Sequence, residues 1–214
     1  MFTIPDREGQ VSLKDLLAAR YHEIFVVHRI DRDTSGLVLF AKNATVHRYL
    51  SKLFEERKID KFYAGIVNGQ PSPSSGIIDA PIAEHPQQKG MMIVTRNGKA
   101  SQTGYEVIEG HSSYSLVSFQ LFTGRTHQIR VHAKHIGHPL ACDPVYGDGS
   151  PVFLSKIKKK FRLSKKEDEE RPMISRLALH SYRLSFNNIN GERLELTAPV
   201  PKEFQALMQQ IGKI

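Results

Sequence analysis

Apolar residues at positions 13, 16 and 17 follow Ser12 and predict a short helix over residues 13–20, with Ser12 as its N-cap. Two compact runs rich in Val, Ile, Leu and Phe, residues 24–28 and 36–42, read as buried strands. Val46, Tyr49, Leu50, Leu53 and Phe54 then recur at helical spacing, which predicts a helix over 43–57. Residues 61–67 read as another strand, and Pro and Ser crowd 70–76 into a loop. Three strands are expected over 91–95, 101–108 and 114–121. Ile129, Val131, Ala133 and Ile136 predict a helix over 126–136 that Gly137 ends. Strands over 177–186 and 193–198 and a closing helix over 201–211 complete the pattern. No repeat and no long linker divides the chain, so residues 1–214 are expected to form a single domain. Strands interrupted by helices without strict alternation imply an α+β class, with a mixed, largely antiparallel sheet and flanking helices.

Charge adds a partner class. The 214 residues carry 30 Lys plus Arg against 22 Asp plus Glu, a net +8. The stretch 156–171, within an expected insertion over 150–172, holds eight basic side chains and four acidic ones, and so supplies half of that excess. This run reads as a solvated, mobile segment, helical in part. Such a balance points to a polyanion, most often nucleic acid. No apolar run approaches the roughly 20 residues that span a bilayer, and no charged-then-apolar leader opens the chain, so a cytoplasmic location is expected. One cysteine, Cys142, allows neither an internal disulfide nor a Cys-rich zinc site.

Motifs for phosphate-loop, dinucleotide, zinc-protease and nucleophile-elbow chemistry are absent, which removes most nucleotide-hydrolase, redox and hydrolase readings. Two segments remain. In residues 28–36 the turn carries Asp31 between Arg29 and Arg32, and a guanidinium nearby keeps a carboxylate ionised and available as nucleophile or base. A plain surface turn with screened ion pairs is the alternative. Residues 124–138 hold His127, His132, His135 and His138. Their spacing misses the i, i+4 geometry of a zinc helix, and Arg125, Arg130 and Lys134 are expected among them with no acidic partner, which favours phosphate contact over metal binding. Tyr63 reads as a strand residue able to pack on a base or in the core, and Leu179 as a core residue.

Together these stretches resemble the RluA family of RNA pseudouridine synthases. His28-Arg29-Ile30-Asp31-Arg32-Asp33-Thr34-Ser35-Gly36 is similar to the family's His-Arg-Leu-Asp-x-x-Thr-Ser-Gly element, with Ile30 for Leu. Lys61-Phe62-Tyr63 resembles its Lys-x-Tyr element. Residues 124–130, then His132, Gly137, Pro139, Asp143, Tyr146 and Gly147, resemble its later signature, and residues 176–180 its last. The motifs run in family order from about residue 26 to 186. Two departures stand out. The family's opening strand and Lys-Pro-x-Gly element have no counterpart ahead of Met1-Phe2-Thr3-Ile4-Pro5, and Cys142 replaces the more usual Gly.

The resemblance implies an isomerase acting on ribosomal or transfer RNA, without cofactor or metal. The N1–C1′ bond of a uridine breaks, the uracil turns, and C5 bonds to C1′. It implies that Asp31 is the essential carboxylate, by attack at C1′, addition to the ring, or removal of the C2′ proton. It further implies that Arg125 pairs with Asp31, that Tyr63 stacks on the uracil and Leu179 packs below it, and that Arg29 fills the gap left by the flipped base. Flipping is needed because a stacked base cannot present C1′ and C5 to one carboxylate. Thr34, His127 and Arg130 are expected among the substrate-binding residues. A catalytically silent RNA-binding protein on the same fold and a metal-dependent hydrolase are the rival readings.

Overall fold

A computed structural model of the chain describes Thr3, residues 11–158, 161–162 and 169–213. Half of the expected partly helical, mobile segment at 156–171, residues 159–160 and 163–168, lies outside the described residues. Among its described residues a 3-10 turn, Leu154–Lys156, reaches into its start. The chain divides into two compact units, Met1–Phe62 with Ser181–Ala198, and Tyr63–His180 with Pro199–Ile214.

The first unit opens with helix α1 (Leu13–Ala18), whose N-terminus is closed by reciprocal bonds between Ser12 and Asp15. Strands β1 (Phe25–Val26), β2 (Ser35–Gly36) and β3 (Phe40–Ala41) follow, then helix α2 (Ala44–Glu55), capped by the Asn43 side chain accepting from Val46 N–H. The predicted strands at 24–28 and 36–42 shrink to two paired positions, Phe25 with Ala41 and Val26 with Phe40. The cause is local. Leu37 N–H donates to Ser181 O and Leu39 N–H to the His28 ring, so neither amide is free for the β1–β3 ladder. The apolar side of α2, through Leu50 and Leu53, packs on Ala41, Ile59, Leu184 and Phe186. The last two belong to the part of β10 (Leu179–Asn187) that lies in this unit, which pairs antiparallel with β11 (Arg193–Thr197).

In the second unit lies most of β4 (Asp60–Asn68), followed by β5 (Ser75–Asp79), β6 (Ile82–Glu84), β7 (Met92–Val94), β8 (Gln102–Gly110) and β9 (Tyr114–Leu121). Strand order there is β4, β9, β8, β5, with β6 and β7 forming a separate antiparallel pair. Strand β9 alternates buried Ser115, Val117 and Phe119 with half-buried neighbours, the period-2 pattern its sequence predicts. β5 and β6 are additions to the sequence reading, interrupted by Pro81. Helix α3 (Gln128–His135) begins two residues later than expected because His127 takes a left-handed φ of 55°. Helix α4 (Lys202–Ile211) seats Phe204, Leu207, Met208 and Ile211 against Ile66, Ala141, Val152, Ile174 and Ala178. Antiparallel pairing dominates, and the fold is α+β. Among the described residues no helix is long and apolar enough to cross a membrane.

Candidate active site

The 28–36 segment is built by three local devices. A turn closes from Thr34 N–H to Asp31 O at 3.0 Å, which places Asp31, half-buried, at its first position. Gly36 ends the turn at φ 109°, and a Cβ there would stand 2.1 Å from Ser181 O. Only glycine admits that close approach. At the other end His28 accepts the Leu39 N–H through Nε2 at 2.9 Å and stacks on Phe54, ring centres 4.6 Å apart. Burial, then the positive charge of Lys61, pushes His28 down to about 4, against a hydrogen bond with the Arg29 backbone. Its ring is therefore neutral at pH 7, as the accepting role of Nε2 requires. Lys61 is itself buried, and burial followed by the charge of Arg57 lowers its pKa.

Arg29 is exposed on this turn, and Thr34 is buried with its hydroxyl lacking a hydrogen-bond partner among the described residues. Arg32, beside Asp31 in sequence, reaches Asp33 at 3.4 Å, an exposed contact.

In the second unit Tyr63 is buried on β4, 7% exposed, and Leu179 opens β10 at 3%. The loop carrying Arg125 is pinned by Gln128, a motif residue to which the sequence reading gave no role. Gln128 Oε1 accepts from Thr123 Oγ1 and from Arg125 N–H, at 2.7 and 3.0 Å. Its Nε2 donates to Gln102 O and Thr103 Oγ1, each at 2.9 Å. Thr103 then lies 2.8 Å from Nδ1 of buried His132, whose Nε2 donates to Ala80 O at 2.9 Å. The Arg125 guanidinium lies 3.4 Å from Ala100 O through both Nε and Nη2.

His127 is held by Tyr146, whose hydroxyl lies 2.9 Å from its Nδ1 and accepts the Met92 N–H at 2.8 Å. Arg130 corrects one expectation. Its acidic partner is Asp143, thirteen positions on, bound through Nε and Nη2 at 2.8 and 2.7 Å, with the pair buried and Arg130 only 3% exposed. Sequence distance hid that partner. Three of the four histidines have partners of their own: His127 bonds Tyr146, His132 bonds Thr103 and Ala80, and His138 lies 2.8 Å from Asn68 O. Among the described residues no three metal-capable side chains group together.

The structure thus brings Arg29, Asp31 and Thr34 together on one turn of the first unit. Tyr63, Arg125, His127, Arg130 and Leu179 belong to the second. Residues 5–135 match the family model described as RNA pseudouridylate synthase.

The chain belongs to the RNA pseudouridylate synthase family. It is 38% identical over 189 residues to an uncharacterized RNA pseudouridine synthase of Bacillus subtilis, covering 88% of this chain and 56% of that protein. It is 37% identical over 190 residues to the ribosomal large subunit pseudouridine synthase D of Nitrosomonas europaea, covering 88% and 52%. A pseudouridine synthase homologue of Zymomonas mobilis is 35% identical over 210 residues, 94% of this chain and 86% of its own. Two solved human structures share the fold. RNA Pseudouridylate Synthase Domain Containing 4 gives a TM-score of 0.71 at 26% identity, covering 94% of this chain and 80% of that one, and Domain Containing 1 gives 0.69 at 25%, covering 95% and 86%. Against several of these pseudouridine synthases the chain spans little more than half of the relative's length.

Cys142 takes a left-handed φ of 57°, a conformation that glycine adopts without steric cost. This cysteine is buried, its thiol 3.4 Å from Ile174 O.

Proposed function

We propose that this protein is an RNA pseudouridine synthase that isomerises uridine within structured RNA, with Asp31 as its essential carboxylate. The observation that carries the reading is the turn at 28–36. A half-buried aspartate sits at the head of a turn whose end requires glycine and whose start is locked by a neutral, stacked histidine. That construction holds the backbone on which the carboxylate is carried, which supports reading it as preorganised for a single-carboxylate reaction. Relatives named for the ribosomal large subunit support ribosomal RNA as the substrate class over transfer RNA.

The reaction leaves the composition of the uridine unchanged. The N1–C1′ bond breaks, C5 bonds to C1′, and the proton of C5 is lost to solvent while N1 gains one. Asp31 carries the covalent or proton-transfer step at the sugar or ring. Tyr63 packs against the uracil and Leu179 supports it, Arg125 supplies positive charge, and Arg29 occupies the space left by the flipped base. Thr34 and His127 offer hydrogen bonds to the nucleotide. Flipping out the uridine exposes C1′ and C5 together.

Tritium release from ribosomal RNA labelled at uracil C5 tests this. The wild-type protein releases tritium, and Asp31→Asn releases none while keeping its melting temperature and RNA affinity. A wild-type protein that binds RNA without release, or an Asp31→Asn variant that releases at the wild-type rate, overturns it.

A further inference from the structure

The first unit contains a cavity of about 550 Å³ lined by Tyr49, Lys52, Arg57, Lys58, Asp60 and Arg193, with Leu53 and Glu56 among the remaining walls. That size lies within the ~300–1,000 Å³ of ligand clefts. Its walls are fixed. Tyr49 Oη reaches the carbonyls of Asn187 and Asn188 at 3.0 and 2.9 Å, tying α2 to the turn before β11. Arg193 is tied to Asp60 and, at 2.9 Å, to Ser185 Oγ.

Four cations face two carboxylates, and the carboxylates are already engaged. Glu56 takes both Lys52 and Lys58, at 3.7 and 2.7 Å, and Asp60 takes Arg193. Among the described residues no carboxylate pairs with Arg57. The backbone there is equally telling. Lys58 N–H donates to Leu53 O and Arg57 N–H to Phe54 O, which closes α2 with Arg57 in the left-handed position, φ 57°. Glycine fits that position best. An arginine there strains the backbone and places an unneutralised guanidinium at the rim of a concave surface, where charge is focused.

We infer that this cavity is a subsite for a backbone phosphodiester of the RNA, with Arg57 as its principal contact. It rests on the proposed RNA substrate and adds to it a second anchoring point. A guanidinium suits the task because it meets phosphate oxygens in bidentate fashion.

Arg57→Gly separates binding from structure. It relieves the left-handed strain, so the melting temperature holds or rises. Affinity for a fluorescein-labelled, uridine-containing RNA hairpin, followed by anisotropy, falls roughly three- to tenfold, and the slope of log K against log salt decreases by about one. Arg57→Lys keeps most of the affinity. In tritium release the loss falls on KM rather than kcat. Unchanged affinity and slope in Arg57→Gly overturn the subsite, as does a lowered melting temperature matching the loss of binding. Inorganic phosphate that protects Arg57 from dicarbonyl modification when the RNA hairpin does not makes this a free-anion site and also overturns it. A wild-type protein that releases no tritium defeats the proposed activity, whereas the salt-slope comparison tests the subsite by itself.

Discussion

Arg130 and Asp143 form a two-pronged ion pair inside the second unit, with side-chain exposures of 4% and 0%. Burial alone would raise the Asp143 pKa. The Arg130 bonds and the N–H groups of Tyr146 and Val145 outweigh it and hold the carboxylate below its usual range. The Arg130 guanidinium also lies 5.0 Å from the centre of the Tyr146 ring.

Breaking that pair strands a buried charge. Arg130→Ala is expected to cost about 3–5 kcal/mol in urea unfolding. Arg130→Met combined with Asp143→Asn, which removes both charges and keeps an acceptor for the two amides, is expected to cost less than Arg130→Ala. Equal losses would mean that charge burial is not the source of the effect.

His28 gives the fold a pH dependence of known sign. Its folded pKa, about 4, lies below the ordinary 6.5, so the unfolded chain takes up the proton first. The stability it contributes is complete above about pH 6.5 and is lost as pH falls toward 4, up to about 3 kcal/mol. Urea midpoints at pH 7 and pH 5 measure this, and His28→Gln should flatten the difference. A wild-type midpoint that does not move between these values would contradict a buried neutral ring.

Gly36→Ala meets two obstacles at once, a φ of 109° and a carbonyl 2.1 Å from the new Cβ. The substitution should cost at least about 2 kcal/mol and displace the turn that carries Asp31. Thermal unfolding and tritium release should therefore decline together, and a variant with full activity would show that the turn tolerates the shift.

Tyr146→Phe removes the hydroxyl shared by His127 and Met92. Leaving the Met92 amide without its acceptor should cost about 1–3 kcal/mol. With the His127 ring no longer tethered, KM for RNA is expected to rise more than kcat falls. Steady-state tritium release on well-folded protein at reduced temperature separates the two.

Much of the molecule was legible in the sequence. α2, α4, β8 and β9 follow their hydrophobic periods closely, and Asp31 and Gly36 stood out within one continuous motif. β5 and β6 escaped notice because five- and three-residue strands beside Pro81 carry little pattern of their own. Gln128, Asp143 and Tyr146 stood within the motifs, but their bonding escaped for a different reason. The bonds of Gln128 to Thr103, Arg130 to Asp143 and Tyr146 to Met92 join residues 13 to 54 positions apart, and such pairings exist only once the chain has folded. His127 shows the same limit at short range, since nothing in its neighbours announces a left-handed backbone that delays α3.

Cys142 has one practical consequence. It is the chain's single cysteine, it is 6% exposed, and burial raises its thiol pKa, which keeps the reactive thiolate scarce. A second thiol introduced at exposed Arg32 would therefore be the accessible attachment point for a maleimide dye. Such a fluorophore would sit one residue from Asp31 and report when RNA reaches the turn, with little background labelling to remove.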